Sequence, residues 1–106
     1  MADDVELAVL MAVFEARPER ADDLAAVLAR YVVLSRQEPA CRNVDLLASA
    51  TESGQFVVIE KWDSPAAARA HLDTELMIDM AQAAVPLLKA KPRIDLLDTI
   101  SAHDLM

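Results

Sequence analysis

Three observations predict an α+β fold of the ferredoxin-like type for this chain of 106 residues. Strand-like segments occur four times, and segments with the 3.6-residue period of a helix follow the first and the third of them. The order strand, helix, strand, strand, helix, strand is the split βαβ arrangement. It predicts a four-stranded antiparallel sheet with the helices on one face. We expect one domain over residues 1–106, with flexible ends at 1–4 and 101–106.

The first strand and the first helix are predicted before Pro39. Val5–Phe14 is an almost unbroken apolar run, which is typical of a strand covered on both faces. Arg17-Pro18 ends this strand. From Glu19 onward, apolar side chains recur at helical spacing, at Leu24, Val27, Leu28, Tyr31 and Leu34 or Ser35. Pro39 ends the helical element because the residue before a proline avoids helical geometry.

The next two strands are predicted as a hairpin. Cys41–Ala50 alternates in character, and Gln55–Trp62 does the same. In the later segment, Phe56, Val58, Glu60 and Trp62 share one face. Thr51–Gly54 between the two segments has the residue types of a hairpin loop, so the strands should pair antiparallel.

The second helical region is predicted in two pieces. Ser64 is a suitable N-cap, and Pro65 suits the first helical position. Asp73-Thr74-Glu75 indicates a break and a new cap, followed by a helix whose inward residues are Leu76, Met77, Met80 and Ala84. Pro86 ends or kinks that helix. Arg93–Ile100 is the predicted last strand, with Ile94 and Leu96 inward.

Composition excludes several classes of function. The formal net charge of −8, with scattered basic residues, argues against nucleic-acid binding. The single glycine excludes phosphate-binding loops of the GxGxxG and P-loop types. Cys41 is the only cysteine, so an intramolecular disulfide is impossible. The N-terminus lacks the features of a signal peptide, and no apolar run is long enough for a membrane span. These features predict a soluble cytoplasmic protein.

Apolar residues make up 55% of the chain, which is high for a domain of this size. The first and third strands carry apolar side chains on both faces, although the predicted fold covers only one. A homodimer that packs sheet against sheet would bury the second face.

The residues from Gln55 to His71 form the most site-like constellation. Glu60 and Trp62 share a strand face, and the strand leads into a helix with His71 on the same side as two small residues, Ala67 and Ala68. A carboxylate, an indole and an imidazole are therefore expected to lie close together.

Four segments resemble the antibiotic biosynthesis monooxygenase family. They are Ser35-Arg36-Gln37-Glu38-Pro39-Ala40-Cys41, Asp45-Leu46, the Glu-x-Trp of Phe56–Trp62, and Ser64-x-Ala-x-x-x-x-His71. The resemblance implies a dimeric α+β barrel and a cofactor-independent monooxygenase that acts on a small aromatic, quinol-type substrate. Molecular oxygen would be the co-substrate, with no metal and no other cofactor.

The chain departs from the family pattern at three positions. Ala40 stands where the family usually has glycine, Val44 where many members have tyrosine, and Leu76 where many have a second histidine. The last two changes make the pocket more apolar and a metal site harder to build. The heme-degrading relatives use an asparagine on the first strand. This strand has none, so heme is not predicted.

The resemblance suggests roles for the residues of the catalytic centre. His71 is either the base that deprotonates a quinol or a helix histidine satisfied by one hydrogen bond. Trp62 either stacks on the substrate or belongs to the core. Glu60 either orients His71 or forms a salt bridge with Arg36, and we favour the salt bridge.

Four further residues are candidates for substrate binding: Arg36, Asn43, Tyr31 and Met77. A structural role is the alternative for each of the last three: a turn or strand end for Asn43, and core packing for Tyr31 and Met77.

Two other functions stay open. A non-catalytic dimeric module that binds a small molecule is favoured by the missing tyrosine and second histidine. An isomerase of a phosphorylated sugar would need cationic anchors, for which only Arg36, Arg42 and Arg69 are available.

Overall fold

The computed structural model describes residues 7–101. The strands are β1 (Ala8–Glu15), β2 (Cys41–Ala48), β3 (Gln55–Trp62) and β4 (Arg93–Asp98), and the helices are α1 (Ala21–Ser35), α2 (Pro65–Leu72) and α3 (Glu75–Ala84). A 3₁₀ turn at Val85–Leu87 follows α3. The start of the predicted first strand, Val5 and Glu6, and the predicted flexible ends apart from Ser101 lie outside the described residues.

The four strands form one antiparallel sheet in the order β2-β3-β1-β4. This order, with a helical crossover after β1 and another after β3, confirms the ferredoxin-like prediction. The central position of β1 agrees with its apolar sequence, since it pairs with β3 on one side and β4 on the other.

The two faces of the sheet differ in burial. Along β1 each buried residue is followed by a half-buried one, as expected when the helices cover one face only. The buried face packs against the helices in a core that includes Phe14, Leu24, Leu28 and Val58. A second cluster surrounds Trp62 and includes Ala8, Leu10 and Ala68.

The opposite face of the sheet, which we call the outer face, is rich in apolar side chains. It carries Val9, Met11 and Val13 from β1 and Val57 and Ile59 from β3, all half-buried. Leu47 and Leu97, on the flanking strands, are 48% and 41% exposed.

No helix among residues 7–101 is long and apolar enough to cross a membrane.

Local sequence signals set the element boundaries as predicted around α2 and α3. The side chain of Ser64 accepts a hydrogen bond from the Ala67 amide, and that of Thr74 accepts one from the Met77 amide. In the β2–β3 hairpin, Gly54 has a φ of 80°. Glycine adopts this left-handed conformation at little cost.

Three predicted elements are longer than the observed ones. The first helix begins at Ala21 rather than near Glu19, and the second and fourth strands end at Ala48 and Asp98. At its other end, α1 stops at Ser35, before Pro39. The Glu38 amide donates to the Ser35 carbonyl in a turn there, and this turn brings Glu38 to the functional site.

Candidate functional site

His71 lies near the C-terminal end of α2 and points into the protein. Ala68 and His71, three residues apart, are the buried residues of this short helix. The His71 side chain is almost completely buried, with 1% of the residue exposed. Thr74 fixes the end of the helix by donating from Oγ1 to the His71 carbonyl over 2.7 Å. The imidazole is therefore held from the backbone side as well as by its ring contacts.

Both ring nitrogens of His71 have partners. Nδ1 lies 2.8 Å from Oε2 of Glu38, in the turn after α1. Nε2 lies 2.6 Å from the hydroxyl of Tyr31 on α1. Oε1 of Glu60 is 3.5 Å from the same nitrogen. The prediction of a histidine satisfied by a single hydrogen bond is therefore too simple, because three polar side chains surround the ring.

Glu60 is a buried carboxylate, 4% exposed, that accepts two hydrogen bonds. The hydroxyl of Tyr31 donates to Oε2 over 2.5 Å, and the indole N–H of Trp62 donates to Oε1 over 2.9 Å. Trp62 can reach the carboxylate because residues two apart on a strand share a face. Donors of this kind offset part of the cost of burying a carboxylate.

Trp62 packs against the imidazole. The ring centroids of Trp62 and His71 are 4.3 Å apart, and the planes are inclined by 31°. The indole is 1% exposed, and its N–H is already bound to Glu60. In this structure Trp62 therefore forms a wall for His71, and the core interpretation of Trp62 describes it best.

We call the chain of Glu38, His71, Tyr31 and Glu60 the site network. Each of its three serial contacts needs one proton: Glu38 with His71, His71 with Tyr31, and Tyr31 with Glu60. If both carboxylates are ionised and Tyr31 is neutral, the imidazole must carry two protons. If the imidazole is neutral, one glutamate must be protonated. Both arrangements have three protons and a net charge of −1, so they differ only in where one proton lies.

Tyr31 stays protonated in the folded protein. Burial raises the pKa of its phenol far above the ordinary value, and the negative charge of Glu60 raises it further. Tyr31 therefore acts as a neutral hydroxyl that can donate one hydrogen bond and accept another.

Cys41 lies at the edge of the site. Burial, followed by the charge of Glu60, raises the pKa of its thiol to about 11. At neutral pH the side chain is an uncharged thiol, which is a poor nucleophile.

The predicted salt bridge between Arg36 and Glu60 is wrong. The guanidinium of Arg36 donates to the carbonyl of Val44 from Nε over 3.1 Å and from Nη2 over 2.8 Å. Arg36 itself is exposed. Glu60 uses neutral donors instead, because Tyr31 and Trp62 reach its oxygens on the buried face of the sheet.

Two further candidates lie outside the site network. Asn43 donates to the carboxylate of Asp45 over 3.1 Å at exposed strand positions. Met77 packs against the core and lines an apolar cleft with Phe14 and Ile94. The structural alternatives for both residues agree with these contacts.

Glu38 is the site residue that the sequence did not identify. It belongs to the segment Ser35–Cys41, but its role depends on a turn that places its carboxylate 2.8 Å from Nδ1 of His71, which is 33 positions later in the chain.

Ser35 was also given no role in the site. It is fully buried one helical turn after Tyr31, and its Oγ has no hydrogen-bond partner within residues 7–101. It lies close enough to the phenol to oppose part of the rise in the Tyr31 pKa.

A small cleft between α1 and α3 reaches Tyr31. Its volume is about 70 Å³, and its lining consists of Val27, Arg30, Tyr31, Leu76, Asp79, Met80 and Ala83. A benzene-sized ring occupies a cavity of about 150 Å³, so the cleft as observed is too small for an aromatic substrate.

No group of three or more potential metal ligands is arranged to hold an ion among residues 7–101.

Solved structures resemble the chain over almost its whole length. PA3566 from Pseudomonas aeruginosa is 30% identical, with a TM-score of 0.80 over 91% of this chain and 96% of that protein. Rv0793 from Mycobacterium tuberculosis is 25% identical, with a TM-score of 0.83 over 91% and 97%. An antibiotic biosynthesis monooxygenase of known crystal structure is 26% identical, with a TM-score of 0.80 over 89% and 99%.

The family comparison agrees with these structures. No curated protein matches the sequence. The family model described as antibiotic biosynthesis monooxygenase matches residues 7–83, which include every member of the site network. The chain therefore belongs to the antibiotic biosynthesis monooxygenase family.

Proposed function

We propose that this protein is a cofactor-independent monooxygenase that oxidises a small aromatic, quinol-type substrate with molecular oxygen. The observation that carries this proposal is the site network, in which an imidazole lies between two carboxylates in a buried, largely apolar environment. General acid–base catalysis needs a group that can gain or lose a proton near neutral pH, and histidine is the usual choice.

The reaction needs little more than removal of a proton. Deprotonation turns a quinol or an anthrone into an electron-rich anion, which reacts with oxygen directly. For an anthrone, one oxygen atom becomes the new carbonyl of the product and the other leaves as water, so no external reductant is consumed. His71 acts as the base, Glu38 and Glu60 hold it in place, and apolar walls keep water from the anion.

Because both nitrogens of His71 are hydrogen-bonded, the proton must reach the imidazole through a neighbour. Tyr31 contacts Nε2 and also lines the cleft between α1 and α3. We propose that the substrate binds in a widened form of this cleft and that the Tyr31 hydroxyl passes its proton to His71. Leu76, where many family members have histidine, gives this cleft an apolar wall.

We also propose a cytoplasmic homodimer that packs the outer faces of two sheets together. The apolar side chains on that face, described above, would otherwise stay in water, and their burial is favourable at about 25 cal/mol per Å². In such a dimer the two sheets would form the α+β barrel expected for this family.

The first test is oxygen uptake by the metal-stripped protein with a panel of quinols and anthrones. Uptake without added cofactor should exceed the spontaneous rate and fall at least tenfold in His71→Ala. Trp62→Phe keeps an aromatic wall but removes the N–H bound to Glu60, so it should retain part of the activity. Near-ultraviolet circular dichroism would show that the variants are folded. Uptake at the background rate for every compound would contradict the monooxygenase function.

A non-catalytic small-molecule-binding module is the second candidate. The closed state of the site favours it, since His71, Trp62 and Glu60 are 4% exposed or less. A compound that raises the melting temperature without being consumed would support binding alone.

An isomerase of phosphorylated sugars receives little support, because Arg36 binds the Val44 carbonyl and Arg42 lies 3.4 Å from the Asp63 carboxylate.

A further inference from the structure

The site network has one end in solvent and one end in the core. The side chain of Glu38 is 31% exposed, whereas that of Glu60 is 5% exposed and that of His71 is fully buried. Tyr31, between His71 and Glu60, is 2% exposed. The network therefore joins water to the buried carboxylate through an unbroken series of hydrogen-bonding atoms.

We propose that this series is a proton relay, with Glu38 as its exit to solvent. The relay rests on the proposed function for its role in catalysis, which would be to release to water the proton that His71 takes from the substrate through Tyr31. Glu38 is a positioning and proton-exchanging residue in this relay, because it touches His71 and is not required to touch the substrate.

The transfer balances without any other reactant. The transfer starts from the arrangement in which Glu60 carries a proton and donates to the Tyr31 oxygen. This reverses the Tyr31-to-Glu60 hydrogen bond described above, which forms again when the transfer is complete. The Tyr31 hydroxyl donates to Nε2 of His71, and the N–H at Nδ1 donates to Glu38. Three protons each move along one hydrogen bond, so that one O–H bond of Glu60 is replaced by one O–H bond of Glu38. Tyr31 ends neutral, His71 ends as the other neutral tautomer, and the protonated Glu38 exchanges its proton with water.

The opposite end of the series offers no second exit. Trp62 contacts Glu60 through its indole N–H, which is a donor only and cannot accept a proton. The ionisable side chains that face His71 are Tyr31 from α1, Glu38 from the following turn and Glu60 from β3. Cys41 on β2 lies near the two glutamates, but its pKa of about 11 keeps it protonated. Tyr31 also lines the small cleft between α1 and α3 but is only 2% exposed, so Glu38, with 31% of its side chain exposed, is the main route of exchange with solvent.

A static network would look the same in the structure but behave differently. If Glu38 only holds a permanently charged imidazole, the buried protons can exchange with water only when the protein opens. If the relay operates, they exchange while the protein stays closed. The Trp62 indole N–H measures opening in the same molecule, because it is buried and bound to Glu60 but cannot take part in the relay.

The experiment is hydrogen exchange followed by nuclear magnetic resonance on protein labelled with ¹⁵N in histidine and tryptophan. A His103→Gln background leaves one histidine, and the chain has one tryptophan and one tyrosine. We expect the His71 ring protons to be at least tenfold less protected than the Trp62 indole N–H, where protection is the exchange rate of the free group divided by the rate in the protein. In Glu38→Gln, whose amide oxygen can accept from Nδ1 but cannot carry a proton away, the protection of the His71 protons should rise toward that of the indole.

Glu52→Gln is the matched control, since Glu52 is an exposed glutamate in the β2–β3 hairpin, and its His71 rates should not change. Protection of the His71 protons equal to that of the indole in the parent protein, or unaffected by Glu38→Gln, would overturn the relay. No substrate is needed, so the result is separate from oxygen uptake. Fast exchange of the His71 protons without oxygen uptake would contradict the monooxygenase function but not the relay. Oxygen uptake with slow exchange of these protons would contradict the relay but not the monooxygenase function.

Discussion

The Tyr31 hydroxyl lies 2.6 Å from Nε2 of His71, although the two residues are 40 positions apart in the chain. This contact joins α1 to α2 across the buried face of the sheet. Because the same hydroxyl also donates to Glu60, one phenol oxygen connects two helices and a strand. Its removal should affect both folding stability and the chemistry of the site.

Tyr31→Phe should lower the free energy of unfolding by about 1–3 kcal/mol, because Glu60 and His71 each lose one of their buried hydrogen bonds. Urea denaturation of the two proteins measures the difference. Arg93→Gln, which removes an exposed ion pair with Asp95, is the control and should change stability by less than about 0.5 kcal/mol. Equal effects of the two substitutions would contradict the central position of Tyr31.

The phenol of Tyr31 should stay un-ionised at alkaline pH for as long as the protein is folded. Its pKa in the folded state is raised above the unfolded value of about 10. Below pH 10 both states hold the proton, so Tyr31 adds no pH dependence. Above pH 10 the unfolded state loses the proton and the folded state keeps it, so stability falls as the pH rises.

Absorbance of the phenolate measures this directly, because Tyr31 is the only tyrosine. The signal should appear together with unfolding, and in urea it should titrate near pH 10. A phenolate signal near pH 10 in protein that is still folded would contradict the buried hydrogen bonds of Tyr31.

Much of this site follows from the sequence, and the rest depends on tertiary contacts. Strand alternation placed Glu60 and Trp62 on one face, and the Ser64 cap placed His71 on the inward side of its helix. The error at Arg36 arose because a guanidinium can bind a carbonyl as well as a carboxylate, and only the folded turn after α1 decides between them. Glu38 was missed for the same reason, since no local pattern connects it to His71.

Cys41 should react slowly with iodoacetamide. A pKa of about 11 in place of the ordinary 9.0 leaves about a hundredfold less thiolate at neutral pH, and the thiolate is the nucleophile. The alkylation rate should therefore keep rising with pH beyond pH 9. Because Glu60 contributes to the raised pKa, Glu60→Gln should shift this profile to lower pH. A profile with its midpoint near the ordinary value of 9.0 in folded protein would contradict the prediction.

The two helix caps next to the site should differ in their effect on His71. Ser64→Ala removes one cap and should cost about 1 kcal/mol of stability. Thr74→Ala removes a cap and also the hydrogen bond to the His71 carbonyl, so it should cost more and should also shift the His71 resonances. Identical spectra of the His71 ring in both variants would show that Thr74 does not help to hold the imidazole.

The outer face of the sheet gives a test of assembly. Ile59 on β3 lies between Met11 on β1 and Asp45 on β2, and a second carboxylate beside Asp45 would have to be buried in the proposed dimer. Burying an unpaired carboxylate costs far more than the lost apolar contact, so Ile59→Glu should shift the protein from dimer to monomer in sedimentation velocity. Val33→Glu is the control, because Val33 is 54% exposed on α1, away from the outer face, and the dimer should persist. A parent protein that sediments as a monomer, or a dimer unaffected by Ile59→Glu, would show that the sheets do not pack against each other.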